Sequence, residues 1–452
     1  MKCNNSKRIY SIKILYLTCF LSLLLTDMLS PSALAQSARD DRVVVLTSYA
    51  EEVSTRFQAA FERAHPGKRV EILWRHGEDA RYHFLQNGGE GIDVYWSPAP
   101  GNFELLRRKQ LLARLQIDHK ALPRDVGGVA ISDPEDYYAA FELAGYGIAY
   151  NPDAVKALGL PLPKEWTDLA AVAYADKVQM PIPGSVGFAP VLYEAILQGY
   201  GWEKGWAILA ETAGNARFNS GAFPDGKDPL STGEIAARMT MDFFVSIAPG
   251  AEGSEKIRFS YPSRTIYNPA QVAIFANAQH PQTARQFVDF VLSGEGQKLL
   301  LHPDIHRLPV RPALYDETSG LTVNPFRQEY SGYNANAGRE RQGLISGLFE
   351  IALLRYHDRQ VALWKALHAA ESAGLGGKPE IQRARALLQA PPIGDTQQKN
   401  RQLRQTFAFT DKAEKSTSTA RTKIETQWID ELNQRMAEAH RLLESNTPPV
   451  TP

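Results

Sequence analysis

Several short polar groups stand where the chain changes from one kind of local structure to another, and the chemistry they could do together is anion binding. Thr47 and Ser48 close the β-branched run Arg42-Val-Val-Val-Leu-Thr-Ser48, just ahead of the amphipathic stretch Glu51–Ala64. Hydroxyls at such a strand-to-helix passage can donate to an anion, and the first N–H groups of the helix add the positive end of its dipole. The same residues could equally serve as ordinary N-caps. Arg75 and His76 follow a second extended run and precede Gly77. A guanidinium there can clamp a phosphate or carboxylate with two parallel hydrogen bonds, or pair with Glu78 or Asp79. His76 can donate to an anion or simply be exposed. Ser97, before Pro98, ends a third run. Ser185 in Pro183-Gly-Ser-Val-Gly187, and Asn219 and Ser220 in Asn219-Ser-Gly-Ala222, place small polar groups in turns. Asp242 interrupts an apolar run ahead of Phe243-Phe244, so its carboxylate needs either a ligand hydroxyl or ammonium, or an internal partner such as Arg217.

Bond-making chemistry has little support. The sequence has no Gly-x-Ser-x-Gly elbow, no His-Glu-x-x-His and no Gly-x-x-x-x-Gly-Lys loop. Scattered Ser, His and Asp that converge in space would leave a secreted hydrolase as an alternative.

The elements that must carry these groups alternate. Arg42–Ser48, Arg69–Trp74 and Ile92–Trp96 read as strands; Glu51–Ala64, Glu78–Gln86 and Phe103–Lys109 read as helices, with Pro66-Gly67 as a breaker. Alternation at this spacing predicts an α/β lobe with a largely parallel sheet. A second lobe begins near Tyr137–Tyr150, read as paired extended segments. It continues through a strand at Gln179–Gly187, a helix at Pro190–Tyr200, a helix at Thr232–Ala237 and a strand at Ala236–Phe244. Extended segments at Ile257–Tyr261 and Thr265–Ile274 return the chain to the first lobe, and Gln282–Leu301 forms two helices around a Ser-Gly-Glu-Gly break. The expected organisation is a first lobe over 42–136 plus 262–325, a second over 137–261, and a helical C-terminal extension over 330–446. Breaks are expected at Gly374–Gly377 and Pro391–Pro392, and the last helix, Thr422–Leu443, keeps Ile424, Trp428, Leu432, Met436, Ala439 and Leu443 on one face.

Across 452 residues, 50 basic side chains balance 50 acidic ones, which removes the basic bias of a nucleic-acid binder. The first 35 residues read as a secretory signal: Lys2, Lys7, Arg8 and Lys13, an apolar run Ile14–Leu25, then Ala33-Leu34-Ala35. That run falls short of the roughly 20 residues of a membrane-spanning helix. Cleavage is expected after Ala35, leaving an exported, unanchored chain with 46 basic against 49 acidic residues. Both cysteines, Cys3 and Cys19, fall within the signal, so no thiol, disulfide or thiolate metal site is expected afterwards.

A family resemblance attaches to specific segments. Val44-Val-Leu-Thr-Ser-Tyr-Ala-Glu-Glu52, Trp74-Arg-His-Gly77, Asp93-Val-Tyr-Trp-Ser-Pro-Ala-Pro-Gly101, Gly145-Tyr-Gly-Ile-Ala-Tyr-Asn151, Tyr267-Asn-Pro-Ala-Gln-Val-Ala-Ile274 and Ala284–Gln297 occur in order. Together they resemble the extracellular solute-binding proteins of bacterial ABC importers, in the branch that includes ferric, phosphonate and phosphoglycerate binders. The resemblance implies a two-lobed α/β periplasmic-binding fold of type II, closing on a solute in an interlobe cleft. It implies a monomer in the periplasm that carries no cofactor, captures a small anionic, phosphorylated metabolite, and serves an ABC permease or a membrane sensor. It adds Tyr146 to the residues expected at the ligand, and strengthens Arg75 and Ser185. The ferric alternative requires donors at the positions occupied here by Ala50, Pro98, Phe243 and Phe244, none of which can bind a hard cation.

Overall fold

The computed structural model describes residues 41–221, 227–246, 257–303, 305–315, 321, 323–327, 332–408 and 415–445. The expected signal, Met1–Ala35, lies outside the described residues, as does Ala222–Gly226 of the turn after Asn219. The chain divides into two compact units. Among the described residues, the first comprises those up to Gln116, Glu135–Ala139 and Gln271–Gly296; the second comprises those of Ile117–Pro134, of Ala140–Ala270 and from Gln297 onward. Residues 117–134, 262–270 and 297–325, expected in the first lobe, thus cluster with the second unit.

In the first unit the order is β1 (Arg42–Thr47), α1 (Glu51–Ala64), β2 (Arg69–Trp74), α2 (Gly77–Asn87), β3 (Val94–Ser97) and α3 (Pro100–Arg108). The run Val43–Leu46 is apolar throughout and buried, as a parallel strand covered on both faces must be. β1 therefore takes the central place, with β2 parallel on one side and β3 parallel on the other. Gln271–Ile274 runs antiparallel beside β3. The helix α1 buries Val53, Phe57, Ala60 and Phe61 of the apolar stripe expected from the sequence, while Ala64, the last residue of that stripe, is exposed. Register brings the C-terminal ends of the three strands together, with Thr47 opposite both Trp74 and Trp96. At the other end of the sheet, buried Asp93 accepts from the Val44 N–H (2.8 Å), the His280 N–H (3.0 Å) and His280 Nδ1 (2.7 Å). Arg42 Nε donates to His280 Nε2 (3.2 Å), which leaves Nδ1 as the ring nitrogen that donates to Asp93.

In the second unit the expected pair of extended segments around 137–150 is instead one strand of 12 residues, Ala139–Tyr150, buried along its length. Its antiparallel partners are Ala237–Met241, Arg258–Ser260 and Leu308–Pro309. Val178–Pro181 runs parallel to both Ala216–Asn219 and Ala237–Met241. The expected helix at Thr232–Ala237 is a turn: Gly233 has φ +77°, and Thr232 N–H donates to Asp228 O. The strand that follows stops at Met241 rather than Phe244, because Asp242 Oδ1 accepts the Phe243 N–H (2.7 Å) and Phe243–Ser246 begins a helical turn.

The C-terminal helices include Ala335–Phe349, His357–Ala370, Pro379–Gln389, Arg401–Phe407 and Lys415–Glu444. They share one hydrophobic core with Ala189–Tyr200 and Trp202–Gly214, in which Tyr193, Trp206, Phe349, Trp364, Phe407 and Trp428 meet. The apolar face of the last helix packs into this core through Trp428, Met436, Ala439 and Leu443. Gly374, with φ +80°, breaks the run where glycines were expected to do so.

Candidate functional site

Each of α1, α2 and α3 follows the C-terminal end of a strand, and each starts without a side-chain cap. The N-cap positions are Ala50, His76 and Ala99, none of which accepts a hydrogen bond from the first turn through its side chain. Neither Thr47 nor Ser48 is therefore the N-cap that its type suggested. Elsewhere in the chain Asn151, Asn334 and Asn400 do cap their helices in the ordinary way. An uncapped start leaves up to four backbone donors to be met by water or by a ligand.

Around these starts the structure brings some of the predicted residues together. Ser48, half-buried, lies with its hydroxyl 2.8 Å from that of Ser97, which is fully buried at the end of β3. Thr47 is buried and its Oγ1 accepts the Tyr49 N–H (3.1 Å), so its hydroxyl is engaged within the protein. Arg75 N–H donates to Thr47 O (2.9 Å), which extends the β1–β2 ladder by one residue and sets the Arg75 side chain beyond the strand end. Arg75 and His76 are exposed. Arg75 has no ion-pair partner among the described residues, so the pairing with Glu78 or Asp79 is not formed. Asn102 ties α3 to the start of α2 by donating to Gly77 O and to the Tyr95 hydroxyl (both 2.9 Å). Acidic side chains in the first turns of α1 (Glu51, Glu52) and α2 (Glu78, Asp79) offset part of the positive potential there, and α3, which follows Ser97, has none.

The remaining predicted residues lie in the second unit. Ser185 is exposed in a turn, its N–H donating to Ile182 O (3.0 Å). Asn219 sits close to that turn: its carbonyl accepts the Ile182 N–H (2.8 Å), while its side chain accepts the Gly221 N–H (2.6 Å). Ser220 is exposed beside it. Tyr146 is 2% exposed, opposite Met241, within the apolar core, and burial raises its hydroxyl's pKa far above the ordinary value.

Asp242 has internal partners, but not Arg217. Its Oδ2 accepts the Gly145 N–H (2.7 Å) and the Tyr261 hydroxyl (3.0 Å). Arg217 is instead held by Asp176 (2.7 Å) and Glu234. The reason is strand order, because Val178–Pro181 lies between the strand bearing Arg217 and Ala237–Met241. Only a glycine fits at 145, where a Cβ would come within 2.5 Å of the Tyr261 ring. Burial penalises the charged carboxylate and pushes Asp242 up to about 7, against the pull of the Gly145, Tyr261 and Phe243 donors. Nearby, Tyr267 keeps a buried hydroxyl with no hydrogen-bond partner among the described residues. Arg307 lies 4.2 Å over the Phe243 ring and pairs with buried Glu142 (2.7 Å).

The sequence reading did not single out a cavity of about 280 Å³ on the first unit, lined by Arg75, Asp79, Tyr82, His83, Gln86 and Asn87. The available signal was the spacing of 79, 82, 83 and 86 on one face of a helix that starts directly after Arg75. Among the described residues there is no cluster of three His, Cys, Asp or Glu side chains able to hold a metal ion, and no helix long and apolar enough to cross a membrane.

The α/β fold with these strand-end helix starts is one on which solutes can be bound, and the chain belongs to the bacterial extracellular solute-binding protein family, whose profile matches residues 46–298. Among curated relatives it is similar to the phosphoglycerate transport regulatory protein PgtC of Salmonella typhimurium, 26% identical over 308 residues that cover 67% of this chain and 74% of the relative. Among solved structures it is similar to the periplasmic binding protein AfuA from Actinobacillus pleuropneumoniae (TM-score 0.53, 18% identity, 68% of this chain and 98% of AfuA). It is also similar to HitA from Pseudomonas aeruginosa (TM-score 0.52, 16% identity, 67% and 99%). At these identities the structural likeness establishes the fold, that of type II periplasmic binding proteins, here carrying an additional helical C-terminal region.

Proposed function

We propose that this protein is exported, binds a small anionic, phosphorylated metabolite without turning it over, and presents it to a membrane partner, either an ABC permease or a sensor complex. The observation that carries the reading is the set of three uncapped helix starts at the ends of β1, β2 and β3, beside the Ser48–Ser97 hydroxyl pair and Arg75. Backbone N–H groups at helix starts, two hydroxyls and a guanidinium can all donate hydrogen bonds, which suits a phosphoryl group. The names of the relatives lean the same way: PgtC is a phosphoglycerate transport regulatory protein, and AfuA was solved with fructose-6-phosphate bound. HitA was solved with iron bound, but Ala50, Pro98, Phe243 and Phe244 stand here where the ferric members are expected to place their donors. The net charge of the expected mature chain is slightly negative, so attraction of an anion has to come from local donors rather than from the overall field.

The test is thermal denaturation of the purified protein with phosphoglycerates, phosphoenolpyruvate, sugar phosphates, phosphonates and Fe(III). A ligand of the folded state at 100 times its Kd adds about 2.7 kcal/mol, a clear rise in Tm. Stabilisation by Fe(III) and by no anion would overturn the proposal. The bound solute should be recovered chemically unchanged.

A further inference from the structure

The cavity beside Arg75 narrows the class of solute, and the inference rests on the anion-binding reading above. Arg75 and Asp79 line the same cavity, yet among the described residues neither makes an ion pair or hydrogen bond with its side chain. Tyr82 and Gln86 likewise make no side-chain hydrogen bond there, and Tyr82 leaves 67% of its surface exposed. Asn87 Nδ2 donates to His83 Nδ1 (3.2 Å), and the amide's carbonyl oxygen has no hydrogen-bond partner among the described residues. One helix face thus offers a carboxylate, two amides, an imidazole and an aromatic plane, with one cation at its head. A carboxylate and amide carbonyls accept hydrogen bonds from hydroxyls, and an open aromatic ring covers the apolar C–H face of a polyhydroxylated skeleton. The same carboxylate repels any second anionic group brought into the cavity with the first.

We infer that the solute bears a single anionic group, held by Arg75, on a hydroxyl-rich carbon skeleton that Asp79, Gln86 and Asn87 recognise and Tyr82 covers. Asp79 acts as the specificity residue. It accepts from solute hydroxyls and discriminates against a metabolite that adds a carboxylate to its phosphate.

Isothermal titration of the purified protein with glycerol 3-phosphate, glucose 6-phosphate, fructose 6-phosphate, 3-phosphoglycerate, phosphoenolpyruvate and inorganic phosphate tests this. Affinity for at least one hydroxylated monophosphate should exceed that for 3-phosphoglycerate by tenfold or more. Asp79→Asn, isosteric and on the surface, should narrow or invert that ratio by at least tenfold while the far-ultraviolet circular dichroism stays unchanged. Arg75→Ala should weaken all phosphates together. Equal or tighter binding of 3-phosphoglycerate, with a ratio unmoved by Asp79→Asn, would overturn the inference and leave the anion-binding proposal standing. Absence of binding by every phosphate would overturn both.

Discussion

Arg341→Ala should destabilise the second unit by about 3–5 kcal/mol, the cost of leaving a buried charge without its counter-ion. Glu194, on the helix Ala189–Tyr200, is 0% exposed, and its Oε1 takes hydrogen bonds from Arg341 and from Gln198 (2.5 Å). The other carboxylate oxygen has no partner among the described residues, so the guanidinium is its principal compensation. Burial already holds the Glu194 carboxyl above its usual pKa, with Arg341 the strongest opposing influence. Without Arg341 the carboxyl should be pushed higher still and fold in its neutral form. The loss should therefore be smaller at pH 5 than at pH 8. Urea denaturation followed by tryptophan fluorescence can read this, because Trp166, Trp202, Trp206, Trp364 and Trp428 all lie in the second unit. A double variant, Glu194→Leu with Arg341→Met, should recover most of the loss, since an apolar pair of similar volume removes the desolvation penalty as well as the attraction. A single-variant loss below about 1 kcal/mol, or no recovery in the double variant, would refute the reasoning that this ion pair joins the C-terminal helices to the rest of the unit.

Three further outcomes are expected. Because the Asp242 carboxyl is raised to about 7 in the folded state, its contribution to stability is fully present below about pH 4 and is lost as pH rises through about 7; Asp242→Asn should remove that component, on the order of 4 kcal/mol, from a stability-against-pH curve. Asp93→Ala should cost at least about 3 kcal/mol in urea denaturation, because it orphans the Val44 and His280 N–H groups and the His280 ring proton inside the first unit. Gly343→Ala, which helix propensity alone would make stabilising by about 1 kcal/mol, should instead lower Tm, since the new Cβ would stand 1.9 Å from the backbone carbonyl of Phe407.

Much of the first unit was legible because its signals are local. A short β-branched apolar run such as Val43–Leu46 suits a strand buried on both faces, and the stripe Val53, Phe57, Ala60, Phe61 has the period of a helix with one buried face. The errors fell where a distant contact overrides local preference. The stretch at 232–237 reads as helical, yet the fold needs it as the turn into Ala237–Met241, with Gly233 left-handed. Asp242 was recognised as a carboxylate in need of partners, but the partners, Gly145 and Tyr261, lie 97 and 19 residues away in sequence.

By itself the sequence determined the family, the alternation of strands and helices around residues 42–108, and the polar residues at the strand ends, since each depends on neighbours in the chain. Tertiary structure decided how those residues are used. It joined Ser48 to Ser97 across two strands, turned Thr47 inward, and left Arg75, among the described residues, without an ion pair in the lining of a cavity that α2 supplies. It also made the C-terminal helices part of the second unit's core, through Glu194 and Arg341, 147 residues apart. Hydrogen bonds and burial are properties of space, and only packing brings such distant residues within reach of one another.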